Sequence, residues 1–190
     1  MSKWVALALF CVVSVQTLSA QYIHPKFKSG EKVIRNFAVL APEIDVAGKP
    51  ADASSAKPVA TMLEEIITAA LKNAGREALP APGDETILAA VRKRFGYINK
   101  LMETSPKEIA KVAYTLGSGV GDMIPPAKIN ALVFIRADAE PDRLHAHFTL
   151  VDTDTGDVFY YIAADAKGDA AAQRAAIERG VAAGMKNFPK

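Results

Sequence analysis

The stretch RLHAHFTLVDTDTGDVFYYIA, residues 143–163, decides the fold. In its first half apolar and polar residues alternate, which is the pattern of a strand with one buried face. The apolar positions are Leu144, Ala146, Phe148 and Leu150, and the polar positions are His145, His147 and Thr149. Asp152–Asp157 then forms a turn in which Gly156 can adopt a positive φ, and Val158–Ala163 returns as a second strand. We therefore predict a β-hairpin whose polar face is exposed.

The segments on either side of this hairpin extend the prediction. Ile129–Ile135 is almost entirely apolar, which is typical of a strand covered on both faces. An alanine-rich helix is predicted over residues 169–186, where the small Gly180 and Gly184 would allow close packing on a sheet. The hairpin is thus expected between a buried strand and a closing helix.

The sequence of the N-terminal half predicts one further strand, a loop and a helix. Phe37–Pro42 is a short apolar run closed by proline, which indicates a buried strand. Asp45–Pro58 has no periodicity and is expected to be a mobile surface loop. From Pro58 to Gly75 apolar residues recur at three- and four-residue spacing, which predicts an amphipathic helix between these two residues.

Two more helices are predicted in the middle of the chain. One begins at Asp84 as N-cap, with an apolar stripe formed by Ile87, Leu88, Val91, Phe95, Ile98 and Met102. A shorter one opens at Ser105–Glu108, where serine caps, proline takes the first helical position and glutamate can reach back to the cap. It continues through Ile109–Ala113. These stripes indicate core packing rather than a cofactor site.

The order strand, helices, strand, hairpin and helix predicts an α+β or mixed α/β fold. We expect one central sheet with helices packed on it and a C-terminal β-hairpin followed by a helix. The predicted organisation is a signal peptide over residues 1–20, a flexible N-terminal segment over residues 21–32 and a single domain over residues 33–190.

The first twenty residues have the layout of a secretory signal. Lys3 is their only charge, Trp4–Val15 is apolar, and Thr17–Ala20 ends in small residues suited to peptidase cleavage. Cleavage is predicted after Ala20, although an uncleaved anchor remains an alternative. The apolar run is short for a membrane span, which needs roughly 20 apolar residues. We expect a periplasmic or secreted protein with no stable membrane span after cleavage.

Cysteine usage agrees with this interpretation. Cys11 is the only cysteine, and bulky Phe10 precedes it where a lipoprotein signal needs a small residue. Cys11 is therefore interpreted as part of the signal peptide, and no disulfide is expected. A domain of this size buries roughly 70% of its unfolded surface, so its core can suffice without one.

The charge balance argues against nucleic acid as a partner. The chain carries 23 basic and 21 acidic residues, and its only basic cluster is Arg92–Arg94. Phosphate neutralisation requires clustered basic side chains. Because Val91 and Phe95 flank the cluster on the apolar stripe of a helix, Arg92–Arg94 is interpreted as the solvated opposite face.

Two sequence patterns suggest chemistry but do not require it. Gly117–Gly121 contains Ser118 between glycines, yet it follows a helix, lacks the Lys-Ser or Lys-Thr pair of a P-loop and has the wrong spacing for a nucleophile elbow. The wider segment Gly117–Pro126 matches no known pattern. Asp152, Asp154 and Asp157 resemble a calcium loop only in part, because the glycine position and the missing distal glutamate break that pattern.

His145 and His147 are a candidate metal pair, because zinc sites use this two-residue spacing. Asp138 or Asp142 could approach them from the preceding loop. The interpretation of an exposed polar strand face is preferred, since no third histidine lies nearby and His24 belongs to the N-terminal segment. No catalytic, cofactor-binding or metal-binding residue is therefore nominated.

The order of elements and the hairpin Leu150–Val158 resemble the periplasmic α/β domains of the CsgG, LpoB and TolB N-terminal group. The resemblance implies a cell-envelope accessory protein that acts through contacts with another envelope protein. This chain departs from the lipoprotein members because it lacks a lipobox. The residues leave open one alternative, a metal-binding protein or metal-dependent hydrolase centred on His145 and His147.

Overall fold

An eight-stranded mixed sheet organises the part of the chain that the computed structural model describes, namely residues 18–83, 85–86, 88–93, 95 and 129–190. The strands are β1 (Leu18–Ile23), β2 (Asn36–Val39), β3 (Glu43–Val46), β4 (Lys49–Pro50), β5 (Glu77–Ala78), β6 (Ala131–Glu140), β7 (Arg143–Asp152) and β8 (Val158–Lys167). The helices are α1 (Pro25–Lys28), α2 (Ala53–Asn73) and α3 (Ala170–Met185). The described residues between 85 and 95 are also helical.

Long antiparallel strands form the centre of the sheet. Its order is β1-β8-β7-β6-β2-β5. The long strand β6 also carries two parallel neighbours on one edge, since β2 pairs with its first half and β3 with its second half. This architecture confirms the predicted mixed fold with one central sheet.

The C-terminal hairpin and the helix after it are confirmed. β7 and β8 pair in antiparallel register from Arg143 opposite Lys167 to Val151 opposite Val158. Gly156 adopts a φ of 74°, as the turn was expected to require. α3 begins after Asp169, whose carboxylate accepts the amide N–H of Ala172 and so caps the helix.

Both faces of the sheet are covered. The first face packs against α1, α2 and α3, and its core includes Phe27, Phe37, Leu63, Ile67, Leu71, Val133, Phe148, Leu150, Ile177 and Val181. The second face packs against the helical residues Leu88, Val91 and Phe95, which meet Leu132, Phe134, Val151, Val158 and Tyr161. These three helical residues are buried, as the apolar stripe predicted.

A β-bulge in β8 changes which residues share a face. The pairing of β7 with β8 shifts between Leu150 and Val151. As a result the consecutive residues Phe159 and Tyr160 both belong to the first-face core, whereas Val158 and Tyr161 belong to the second. Strict alternation would have placed Phe159 on the second face together with Tyr161. The bulge therefore adds one aromatic ring to the first face.

The prediction of a mobile loop over Asp45–Pro58 is wrong. This segment holds the end of β3, a turn with positive φ at Ala47 and Gly48, β4 and the first turns of α2. β3 is held by pairing with the distant strand β6, which no local pattern reveals. Exposed strands with few apolar residues look like loops in a sequence.

The predicted start of the first long helix is also wrong. α2 begins at Ala53, so Pro58 lies inside the helix. The carboxylate of Asp52 accepts the amide N–H groups of Ser54 and Ser55, which is the geometry of an N-cap. Asp52 is the sequence signal for the start of α2, whereas the prediction placed Pro58 at the start of the helix.

The predicted flexible segment over residues 21–32 contains ordered elements in the structure. These are the end of β1 and the short helix α1. Phe27 is almost fully buried, and its ring packs against the rings of Phe159 and Phe188. Because both partners lie near the C-terminus, the order of this segment depends on contacts that the local sequence does not display.

Several predictions fall outside the described residues. They concern the signal peptide residues 1–17, the helix positions Asp84, Ile87, Ile98 and Met102, the helix predicted from Ser105 and the segment Gly117–Pro126.

Candidate functional site

A cluster of polar side chains lies on the second face, on the half of the long strands nearest the β6–β7 turn. We call it the second-face polar cluster, and it consists of Arg136, Asp138, His145, His147, Tyr161 and Asp165. Register places Asp138 and Asp165 on either side of His145, and Arg136 beside His147. Since paired residues on neighbouring strands point to the same face, three strands contribute to one cluster.

A carboxylate holds the ring of His145. Its Nδ1 lies 2.7 Å from Oδ1 of Asp165, and the same oxygen is 3.6 Å from the guanidinium of Arg143. Because a carboxylate only accepts hydrogen bonds, Nδ1 of His145 donates this one. The side chain of His145 is 29% exposed, so its ring is accessible from solvent.

The ring of His147 is buried more deeply, with 3% of the residue exposed. Its Nδ1 shares a hydrogen bond of 2.6 Å with the hydroxyl of Tyr161. Its Nε2 is buried and has no hydrogen-bond partner among the described residues. The rings of His147 and His145 are nearly perpendicular, with centroids 4.2 Å apart.

This environment keeps His147 neutral at neutral pH. Burial lowers the pKa of His147 to about 3, and the electrostatic interactions of its ring with His145 and Arg136 act in the same direction. The carboxylate of Asp165 opposes the change but does not outweigh it. A neutral imidazole is the form expected for a buried ring beside a guanidinium.

The β3–β4 turn adjoins the cluster. Asp45 in β3 forms an ion pair of 2.9 Å with Arg136. Beside it lies a cavity of about 310 Å³, lined by Ala47, Gly48, Asp138, Ala139, Glu140, Arg143 and His145. Its charged side chains are of both signs, so the cavity has no strong preference for an anion or a cation.

The prediction of an exposed polar face on β7 is wrong for two of its three residues. His147 and Thr149 are buried, and only His145 keeps appreciable exposure. The prediction assumed a sheet covered on one side, whereas the structure covers both. Thr149 also leaves its buried hydroxyl without a partner among the described residues.

The structure brings together only part of the proposed metal constellation. Asp138 is one of the two acids that we considered as partners of the histidines, and it lies opposite His145 on β6. Asp142 lies in the β6–β7 turn, where its carbonyl oxygen accepts the N–H of Gly168. His24 caps α1 by accepting the N–H of Lys26. Within residues 18–95 and 129–190, as far as they are described, no group of three or more His, Cys, Asp or Glu side chains is arranged to hold a metal ion.

Three members of the cluster were not anticipated from the sequence. Arg136 directly follows an apolar strand, and a charge at such a position is a signal for a buried ion pair. Tyr161 lies inside the predicted returning strand, and its role emerges only when β8 is aligned with β7. Asp165 lies beyond the predicted end of that strand at Ala163, and its role emerges only when β8 extends to Lys167.

The side chain of Asp152 stabilises the turn between β7 and β8. The buried carboxylate of Asp152 accepts hydrogen bonds from the N–H and hydroxyl of Thr155. Lys32 lies 3.6 Å from the carboxylates of both Asp152 and Asp154. These contacts tie the turn to the N-terminal segment.

A second cavity lies between α2 and α3 on the outside of the first face. It measures about 510 Å³ and is lined by Glu65, Ile66, Ala69, Ala70, Asn73, Ala74, Arg174, Glu178, Val181, Ala182, Met185 and Lys186. Arg174 of α3 bridges the two helices through an ion pair of 3.0 Å with Glu65 of α2, and it forms a second ion pair of 3.0 Å with Glu178 of its own helix. The cavity is therefore an apolar groove with a charged border.

Comparison with known proteins finds weak similarity to a few solved structures. No protein-family model and no curated protein matches the chain. A PelC dodecamer from Paraburkholderia phytofirmans is 12% identical with a TM-score of 0.45, covering 90% of this chain and 96% of that one. Lipoprotein GNA1162 from Neisseria meningitidis is 17% identical with a TM-score of 0.41, covering 72% and 82%.

The LpoB C-terminal domain from Salmonella enterica is also similar. It is 11% identical with a TM-score of 0.37, and the match covers 74% of this chain and 93% of that domain. LpoB belongs to the group that the hairpin resembles. No helix in the described part of the chain is long and apolar enough to cross a membrane.

Proposed function

We propose that this protein is an exported accessory or binding module of the cell envelope, and that it acts by contact with another envelope protein. The observation that carries the proposal is the N-terminal sequence of residues 1–20, with one charge, an apolar run and a small-residue end. The resemblance of the hairpin to periplasmic accessory domains supports the same role.

The polar cluster has a structural role that does not depend on what the protein binds. His145 pairs with Asp165, His147 with Tyr161 and Arg136 with Asp45. These contacts link β3, β6, β7 and β8 on the second face.

Cleavage after Ala20 is compatible with the folded sheet. β1 extends across this position, but Gln21, Tyr22 and Ile23 keep their pairing with β8 after cleavage. The side-chain amide of Gln21 also donates to the hydroxyl of Tyr160 and to the carbonyl of Gly184. We therefore propose that the mature chain begins at or near Gln21.

Mass spectrometry of the protein from its native host tests the export proposal. We expect a mature N-terminus within a few residues of Gln21 and release from the envelope without detergent. An intact Met1 with tight membrane retention would establish an anchor instead. A lipid on Cys11 would show that the protein is a lipoprotein.

Photo-crosslinking in intact cells tests the accessory role. A photoreactive residue would replace Ala69 or Ala182, which line the groove between α2 and α3, and as a control the exposed Lys49 in β4. We expect reproducible capture of one envelope protein from at least one position. Capture of no envelope protein above background at any position would contradict the proposal.

Metal binding at His145 and His147 is the alternative that the sequence left open. Two imidazoles fall short of the three protein ligands that catalytic zinc sites use, and the described residues supply no third in position. Metal analysis of the purified protein separates the two functions. Stoichiometric zinc that a His145→Ala, His147→Ala double variant loses would establish the alternative.

A further inference from the structure

His147 differs from the other buried side chains of β7 because it can acquire a charge. On the same strand, Phe148 and Leu150 are fully buried and apolar, and Thr149 does not titrate in the physiological range. A proton added to His147 would occupy Nε2 or Nδ1 in a site from which water is almost entirely excluded. Burying a charge is costly unless it is paired and hydrogen-bonded.

Among the residues that the structure describes, the groups that face His147 do not supply that pairing. From its own strand His145 lies nearest, from β6 the guanidinium of Arg136 lies beside it, and from β8 it meets Tyr161. Asp165, on β8, is bound to His145. The helical residues described on this face are apolar.

The remaining carboxylates near the cluster are also committed or remote from the ring. Asp45 of β3 is bound to Arg136, and Asp138 of β6 lies opposite His145 rather than His147. A protonated His147 would therefore add a positive charge beside a guanidinium, with its Nε2–H donor lacking an acceptor among the described residues.

We propose that His147 makes this fold acid-sensitive, because in mildly acidic medium its ring takes up a proton only when unfolding exposes it, so that acid favours the unfolded state. In the unfolded chain an exposed histidine takes up its proton at about pH 6.5. In the folded protein burial lowers the pKa of His147 to about 3. Between these values the unfolded state binds the proton and the folded state does not.

The direction of the effect follows from this difference. The contribution of neutral His147 to stability is complete above about pH 6.5 and is lost as the pH falls towards about 3. Well inside this window, each pH unit of acidification raises the unfolding equilibrium constant about tenfold. Because the unfolded-state ring is already half protonated at about pH 6.5, acidification from there to about pH 4.5 should raise the constant about 50-fold through this residue alone.

Urea unfolding of the mature protein across this pH range tests the proposal. His147→Gln keeps a polar side chain near Tyr161 but cannot titrate, so its unfolding constant should lose the part of the pH dependence, about 50-fold, that His147 causes. The control is His24→Asn, at the other buried histidine, where asparagine preserves the cap of α1. This control should retain the wild-type pH dependence.

A wild-type pH dependence in His147→Gln, or its loss in His24→Asn, would overturn the proposal. If His147→Gln does not fold, side-chain nitrogen NMR of the wild-type protein decides. The His147 ring should remain neutral at about pH 5, where an exposed imidazole is mostly charged. A charged ring in the folded protein at that pH would contradict the inference, whatever the protein binds in the envelope.

Discussion

The two faces of the sheet bury adjacent residues of β7 to a similar extent but with different chemistry. Phe148 on the first face is 0% exposed and His147 on the second is 3% exposed. Phe148 is surrounded by apolar side chains from α2, α3 and the sheet. His147 instead lies in the polar cluster, where its Nε2 has no hydrogen-bond partner among the described residues. Equal burial therefore need not mean equal stabilisation.

The largest effect is expected on the first face. Phe148→Ala should lower the free energy of unfolding by about 3–5 kcal/mol, because it removes a fully buried ring and leaves a cavity. Urea unfolding at neutral pH measures this loss. Phe148→Leu, which fills most of the space, should cost much less, and equal losses for both variants would contradict the packing.

A smaller loss is expected on the second face. His147→Ala should cost about 1–3 kcal/mol, because it removes a buried ring and its hydrogen bond to Tyr161 but also removes an unpartnered polar atom. His145→Ala, at a partly exposed ion pair, is the matched control and should cost less than about 1 kcal/mol. A His147→Ala loss exceeding that of Phe148→Ala would reverse our account of the two faces.

The turn between β7 and β8 keeps the two faces in register. Gly156→Val should destabilise the protein by about 1–2 kcal/mol, because a β-branched residue is strained at a φ of 74°. Asparagine tolerates this conformation better, so Gly156→Asn should lose less in thermal melts. Similar losses for valine and asparagine would show that the backbone conformation is not the cause.

Apart from the His145 control, the smallest effect is expected at Thr153. Its buried hydroxyl donates a hydrogen bond of 2.6 Å to the carbonyl of Ile129, which ties the turn to the residues before β6. Thr153→Ala should therefore cost about 1 kcal/mol in a urea titration. Thr153→Ser keeps the hydroxyl and should retain most of the stability. An unchanged midpoint in the alanine variant would show that this tie does not matter.

The comparison also shows where sequence analysis reaches its limit. The alternation of apolar and polar residues in β7 correctly predicted that Phe148 and His147 point to opposite faces, because side-chain direction in a strand is a local property. It did not predict the burial of His147, because burial depends on what packs against that face of the sheet. Of the polar cluster, the sequence pointed to the two histidines and Asp138, whereas Arg136 and Asp165 join them only through pairing between strands.

By itself the sequence determined the hairpin, its glycine turn, the closing helix α3, the buried core of β6 and the mixed fold class, because periodicity, turn chemistry and capping act over a few residues. Only the tertiary structure decided the pairing of β3 with β6, the secondary structure within residues 21–32 and the burial of His147. It also decided the bulge that places Phe159 and Tyr160 on the same face. These features depend on contacts between distant segments, whose free energies have no local pattern.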